Sequence, residues 1–109
     1  FHQTFIENCI MEGRATVFAR EHAGENALRA QYPGNVKDWL EEIIVLGDDV
    51  PWPQYMFRHD DGRKWVGYKV GTYIVDQAIK NSDKTVVELT RLECAEILEF
   101  AKISDAKAV

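Results

Sequence analysis

Few residues in this 109-residue chain are suited to chemistry, and their spacing is more informative than their number. Histidine occurs at His2, His22 and His59, followed by Gln3, Ala23 and Asp60. The commonest helical zinc-hydrolase motif needs two His four residues apart, with Glu beside the first as general base. No pair here has that spacing, so the chain carries no local histidine-based zinc motif. Cys9 and Cys94 lie far apart and belong to no Cys-x-x-Cys or Cys/His ligand set. We expect a pair of reduced thiols packed as small hydrophobes, since nothing in their placement favours a disulfide. Ser82 and Ser104 lie outside any Gly-x-Ser-x-Gly elbow, and no Gly-rich phosphate loop is present.

Against that background Glu12 stands out. The run Ile10-Met11-Glu12-Gly13-Arg14-Ala15 places a carboxylate and small residues in the middle of an apolar-faced helix. Two readings follow from the pattern: a solvated glutamate beside a packing glycine, or a carboxylate aimed at something cationic with space cleared next to it. The pattern does not choose between them.

The elements that would position Glu12 are helical. Residues 1–22 place Phe1, Phe5, Ile6, Cys9, Ile10, Val17 and Phe18 mostly three and four apart, as on an amphipathic face. Gly13 costs about 1 kcal/mol relative to Ala inside a helix, which points to close approach by another backbone or a ligand. Gly24 is a natural stop. Residues 24–34 are polar and end in Tyr-Pro-Gly, a loop with at most one helical turn. Asn35 is suited to cap a helix over 36–46 with its stripe at Val36, Trp39, Leu40, Ile43 and Ile44. Pro51-Trp52-Pro53 argues against regular helix at that point, with a short turn or helix over 54–57. His59-Asp60-Asp61-Gly62 reads as a turn. A helix over about 63–80 carries Gly67 and Gly71 one turn apart, a flat strip for a neighbouring helix; the β-branched and aromatic content of 65–75 also leaves a strand open there. Thr85 and Glu88 have capping-box spacing for a short helix over 86–91. A last helix covers 93–102, and 104–109 reads as a frayed tail. The expected fold is therefore all-α, a single bundle of four to five helices.

Composition bounds the function. The net charge of −5, with no Lys/Arg cluster, argues against phosphate-directed nucleic-acid binding. No apolar run reaches the roughly 18 residues of a membrane span, and no signal peptide is evident. The chain begins with Phe1 instead of Met, from which we expect a longer parent polypeptide.

Three segments carry a family likeness: Glu-Asn-Cys-Ile-Met-Glu-Gly-Arg-Ala-Thr-Val-Phe-Ala at 7–19, Pro-Trp-Pro-Gln-Tyr-Met-Phe at 51–57, and Val-Gly-Tyr-Lys-Val-Gly-Thr-Tyr-Ile-Val at 66–75. The last is followed by Thr-Val-Val-Glu-Leu-Thr-Arg-Leu-Glu-Cys-Ala-Glu-Ile-Leu at 85–98. In this order the chain resembles the C-terminal half of the predicted Zn-dependent protease family, a gluzincin-like bacterial domain of unknown function. The resemblance implies the C-terminal subdomain of a zincin-like fold, with a His-Glu-x-x-His helix upstream. It implies that Glu12 is the third zinc ligand of the parent, and that Tyr68 and Tyr73 line the cleft, Tyr68 first as a hydrogen-bond donor to a tetrahedral oxyanion. The two imidazoles and the catalytic Glu have no counterpart in these residues. One carboxylate makes a poor zinc site, because a catalytic site needs about three protein ligands. We therefore expect no tight zinc binding and no peptide hydrolysis from this chain alone, and zinc and a peptide or protein substrate in the parent.

With the His-bearing helix absent, Phe1, Phe5, Ile6 and Ile10 would be bare, and a homodimer through this face of the first helix is expected to cover them. Two other readings use the same residues differently. One is a non-enzymatic helical binding module with a groove formed by Trp39, Trp52 and Trp65. The other is a small-ligand pocket behind Gly67 and Gly71.

Overall fold

A computed structural model describes residues 3–23 and 28–103. The expected start of the first helix at residue 1, His2, the Gly24 stop and the 104–109 tail lie outside those residues. The fold is all-α: six helices and no strand among the described residues. They are α1 (Phe5–His22), α2 (Val36–Leu46), α3 (Trp52–Met56), α4 (Val66–Ser82), α5 (Val86–Leu89) and α6 (Cys94–Phe100), with 3-10 turns at Leu28–Ala30 and Gly47–Asp49.

The first helix starts at Phe5 because a capping box that the periodicity did not reveal sets its end. The Thr4 hydroxyl accepts from the Glu7 N–H at 3.2 Å, and the Glu7 carboxylate accepts from the Thr4 N–H at 2.8 Å. The predicted Thr85–Glu88 box forms in the same way at α5. Asn35 stands at the start of α2 but makes no side-chain cap bond, so hydrophobic periodicity and not capping places that helix. At 51–53 the proline argument gives the wrong result. Pro53 falls in the first turn of α3, where its missing N–H leaves no helix bond unmade. At 66–75 the chain is helical, not extended. Residues 63–65 are not helical either. Lys64 bridges Arg58, and Trp65 takes a left-handed conformation (φ 56°) just ahead of α4.

The core is built on α1 against α4. Phe5, Ile6, Cys9, Ile10 and Val17 of α1 are buried with Val66, Val70, Ile74, Val75 and Ala78 of α4. The helices meet without side chains between them. A Cβ on Gly71 would overlap the Cys9 carbonyl, and one on Gly13 would overlap the Gly71 carbonyl. A Cβ on Gly67 would strike the Met56 sulfur of α3. The space at these glycines is therefore filled by the chain itself, and the described residues leave no room for a small ligand against Gly67 and Gly71. The bare face expected on α1 is covered in the same way. Phe5 is 4 % exposed, Ile6 7 % and Ile10 0 %, shielded within the one chain; Phe1, the fourth residue of that face, lies outside the described residues. Met11 and Phe18, on the opposite side of α1, are the exposed ones.

Polar contacts lock the periphery. Arg14 of α1 donates to the Leu89 and Leu92 carbonyls at 3.3 and 3.2 Å, satisfying the C-terminal end of α5. Arg20 makes a two-pronged pair with Asp76 of α4, whose carboxylate also accepts from the Tyr32 hydroxyl at 2.8 Å. No described helix is long and apolar enough to cross a membrane.

Candidate functional site

Because α1 and α4 touch backbone to backbone, the side chains flanking the contact are drawn together. Glu12 directly precedes Gly13, and Tyr68 lies three residues before Gly71. Both are half-buried, and both line each of two adjoining cavities. The first, of about 150 Å³, is mixed in character and holds the charged side chains of Arg20 and Arg29 with Thr16 and three alanines. The second, of about 280 Å³, is mainly apolar, with Asn8, Trp52, Pro53, Met56 and Phe57. Glu12 and Tyr68 thus form the partition of one open cleft.

The two side chains act on each other. Partial burial pushes the Tyr68 phenol above its ordinary pKa. The Glu12 carboxylate adds to that as a charge and as a hydrogen-bond partner, while Arg29 opposes it. The phenol is consequently protonated at neutral pH and remains a donor. Its backbone is held too, since the Thr72 hydroxyl donates to the Tyr68 carbonyl at 2.8 Å. The Thr16 hydroxyl does the same for the Glu12 carbonyl, also at 2.8 Å.

Tyr73 does not join them. It lies on another face of α4, its ring edge-on to Tyr32 at 5.6 Å, and lines neither cavity. The described histidines are remote from Glu12. His22 is ten residues further along the same helix, about 15 Å by helical rise. His59 sits in the turn before α4, accepting from the Asp61 N–H at 3.0 Å with its ring edge-on to Tyr55. The three tryptophans make separate contacts. Trp52 lines the apolar cavity against Phe5 (ring centroids 5.1 Å), Trp39 lies under Arg63, and Trp65 precedes α4.

A zinc ion needs more than this arrangement offers. Among the described residues no group of three His, Cys, Asp or Glu could hold a metal. The two thiols are no substitute. Cys9 is buried, which raises its pKa steeply and disfavours thiolate, and Cys94 is half-buried on α6. The residues present therefore do not fit zinc on their own, and Glu12 is a single oxygen donor set in an open cleft.

Arg29 is the participant that sequence reasoning missed. It lies in the 24–34 stretch, read as a loop with room for one helical turn, where no periodicity marks it, yet its guanidinium lies 5.0 Å from the centre of the Tyr68 ring. On the apolar side, Trp52 is legible in the sequence only as part of a groove with Trp39 and Trp65, which the structure does not bring together.

The family model described as "Predicted Zn-dependent protease (DUF2268)" matches residues 2–99 of the chain. No curated protein and no solved structure matches it.

Proposed function

This chain belongs to the predicted Zn-dependent protease family, and we propose that it forms the helical wall of that protease's peptide-binding cleft. In this reading Glu12 is the carboxylate that completes the metal cradle, and Tyr68 is the donor that meets the substrate carbonyl oxygen. The imidazole donors would come from a His-Glu-x-x-His helix outside residues 1–109, because the described part of this chain offers none near Glu12.

The observation that carries the reading is the shared position of Glu12 and Tyr68 between two cavities. A protonated phenol on a rigid, backbone-locked helix suits a cleft in which charge develops on a carbonyl oxygen, to which Tyr68 would donate a neutral hydrogen bond. The Glu12 carboxylate beside it would oppose that charge by itself and suits a cation instead, as an oxygen ligand to the metal. Thr16 and Thr72 anchor the turns that carry them. Peptide hydrolysis by the full-length polypeptide tests the proposal. Tyr68→Phe should lower kcat by roughly 100-fold, the loss typical of one oxyanion donor, with KM changed only a few-fold. Wild-type turnover in that variant would refute the role.

A second reading, a non-enzymatic peptide-binding module, is favoured by the exposure of Trp52 (39 %) and Phe57 (61 %) beside the cleft. It separates from the first by outcome: a full-length polypeptide that binds peptides and leaves them intact is a module.

A further inference from the structure

We propose that the two cavities flanking Glu12 and Tyr68 select peptides bearing a carboxylate next to an apolar side chain, with Arg29 holding the carboxylate and Trp52, Met56 and Phe57 the apolar group. The inference rests on the peptide-cleft reading above and adds to it the class of substrate.

The cations that line the first cavity are Arg20 and Arg29, and Lys69 lies on α4 beside Tyr68. Arg20 is committed to Asp76 at 2.5 Å and to the Ala30 carbonyl at 3.3 Å. Lys69 is committed to the Leu28 and Gln31 carbonyls at 3.1 and 2.8 Å. Together these two fasten the Leu28–Ala30 turn to α1 and α4. The turn would otherwise be a loose loop, and fastening it fixes the base of the Arg29 side chain. Arg29 itself forms no ion pair with a described carboxylate. Its guanidinium lies 5.0 Å from the centre of the Tyr68 ring, is also a hydrogen-bond partner of that phenol, and lines the cavity. A guanidinium carries five N–H donors, more than this one partner uses. A guanidinium set beside an aromatic ring with N–H donors to spare is suited to a carboxylate, which it meets with two parallel hydrogen bonds. The cavity, of about 150 Å³, has room for a short acidic side chain or a chain terminus.

The other side of the partition is opposite in character. Trp52 and Phe57 are exposed there, with the buried Met56 as a floor. The thioether is pliable and is further held by the Asn8 amide at 3.4 Å. Glu12 lies between the two cavities and repels an anion placed over the partition itself, so a carboxylate gains only on the Arg29 side.

The test uses the 109-residue chain and fluorescently labelled, end-blocked peptides that contain Leu or Phe beside Asp, with Asn isosteres as controls. A further pair, neutral in its side chains, ends in a free carboxylate or an amide. Anisotropy should show the Asp peptide, the free-acid peptide or both bound roughly tenfold more tightly than their neutral counterparts, a value moderated by solvent at an exposed guanidinium. Which pair responds tells whether the carboxylate is a side chain or a terminus. Arg29→Gln should abolish the preference and leave the neutral peptides unaffected. Phe57→Ser should weaken all peptides alike. Both positions are exposed, so neither variant threatens folding. Equal binding of every pair, no binding at all, or a preference that survives Arg29→Gln would overturn the proposal. Lack of turnover in the full-length polypeptide with the preference intact would instead refute the peptidase reading and leave this one standing.

Discussion

Gly13 of α1 and Gly71 of α4 touch main chain to main chain, and a side chain on either residue would occupy the other helix's backbone. That contact fixes the register of the two central helices. The register in turn places Glu12 beside Tyr68, although the two are 56 positions apart in the sequence.

Gly71→Ala is therefore expected to be severely destabilising. Its nearest obstacle is the Cys9 carbonyl, which cannot swing aside as a side-chain tip would. A loss on the order of 3 kcal/mol, read from urea midpoints, is the expected result. Gly34→Ala, with open space around it, should change stability by less than about 0.5 kcal/mol.

Asp76→Ala should cost about 2 kcal/mol, more than an ordinary surface charge. Arg20 and Tyr32 both direct their hydrogens at that carboxylate, and both are partly buried. Arg20→Ala should cost less, because Asp76 keeps its bond from Tyr32. Thermal denaturation of the two variants and of the double mutant would give the coupling.

Stability should also fall in acid through Glu42. Hydrogen bonds from Arg63, and a lesser one from the Tyr55 hydroxyl, hold its carboxyl below the ordinary carboxylate range. A group depressed in the folded state binds fewer protons there than in the unfolded chain. Its contribution is full above about pH 4.3, the unfolded value, and is lost as pH falls through the folded one. Glu42 is 37 % exposed, so the contribution is about 1 kcal/mol at most. The stability gap between wild type and Glu42→Gln should narrow between about pH 5 and pH 3. A gap that holds constant would contradict the assignment.

The thiols should differ in reactivity. In the native protein a thiol reagent should modify Cys94, which is half-buried, well before Cys9, which is fully buried and has its thiolate disfavoured by that burial. Cys9 should react only at the rate of unfolding.

Much of this architecture is legible in the residues, for identifiable reasons. The stripe Val36–Trp39–Leu40–Ile43 places α2 at the observed boundaries without help from its cap. Gly67 and Gly71 announce a helix-packing strip, and Thr85 with Glu88 announces α5. What the sequence hides is tertiary. Periodicity does not distinguish Thr4, the cap, from the apolar run behind it, so the boundary at Phe5 is not legible from spacing alone. The proline pair concealed α3, because a proline in the first helical turn and one that breaks a helix look alike until the turn is seen. Phe5, Ile6 and Ile10 look like an unpartnered face in the sequence, because their cover comes from distant segments of the same chain. Glu12 and Tyr68 could be named from the family likeness, but Arg29 could not. Its place depends on Lys69 and Arg20 gripping a turn whose composition is merely polar.

The most direct test of Glu12's proposed role is the zinc content of the full-length polypeptide, measured by elemental analysis after dialysis against metal-free buffer. Wild type should retain close to one zinc per molecule. Glu12→Gln should lose most of it, and Tyr68→Phe should keep it while losing turnover. Full zinc occupancy in Glu12→Gln would contradict the account, since the carboxylate at the centre of the cleft would then have no part in holding the metal.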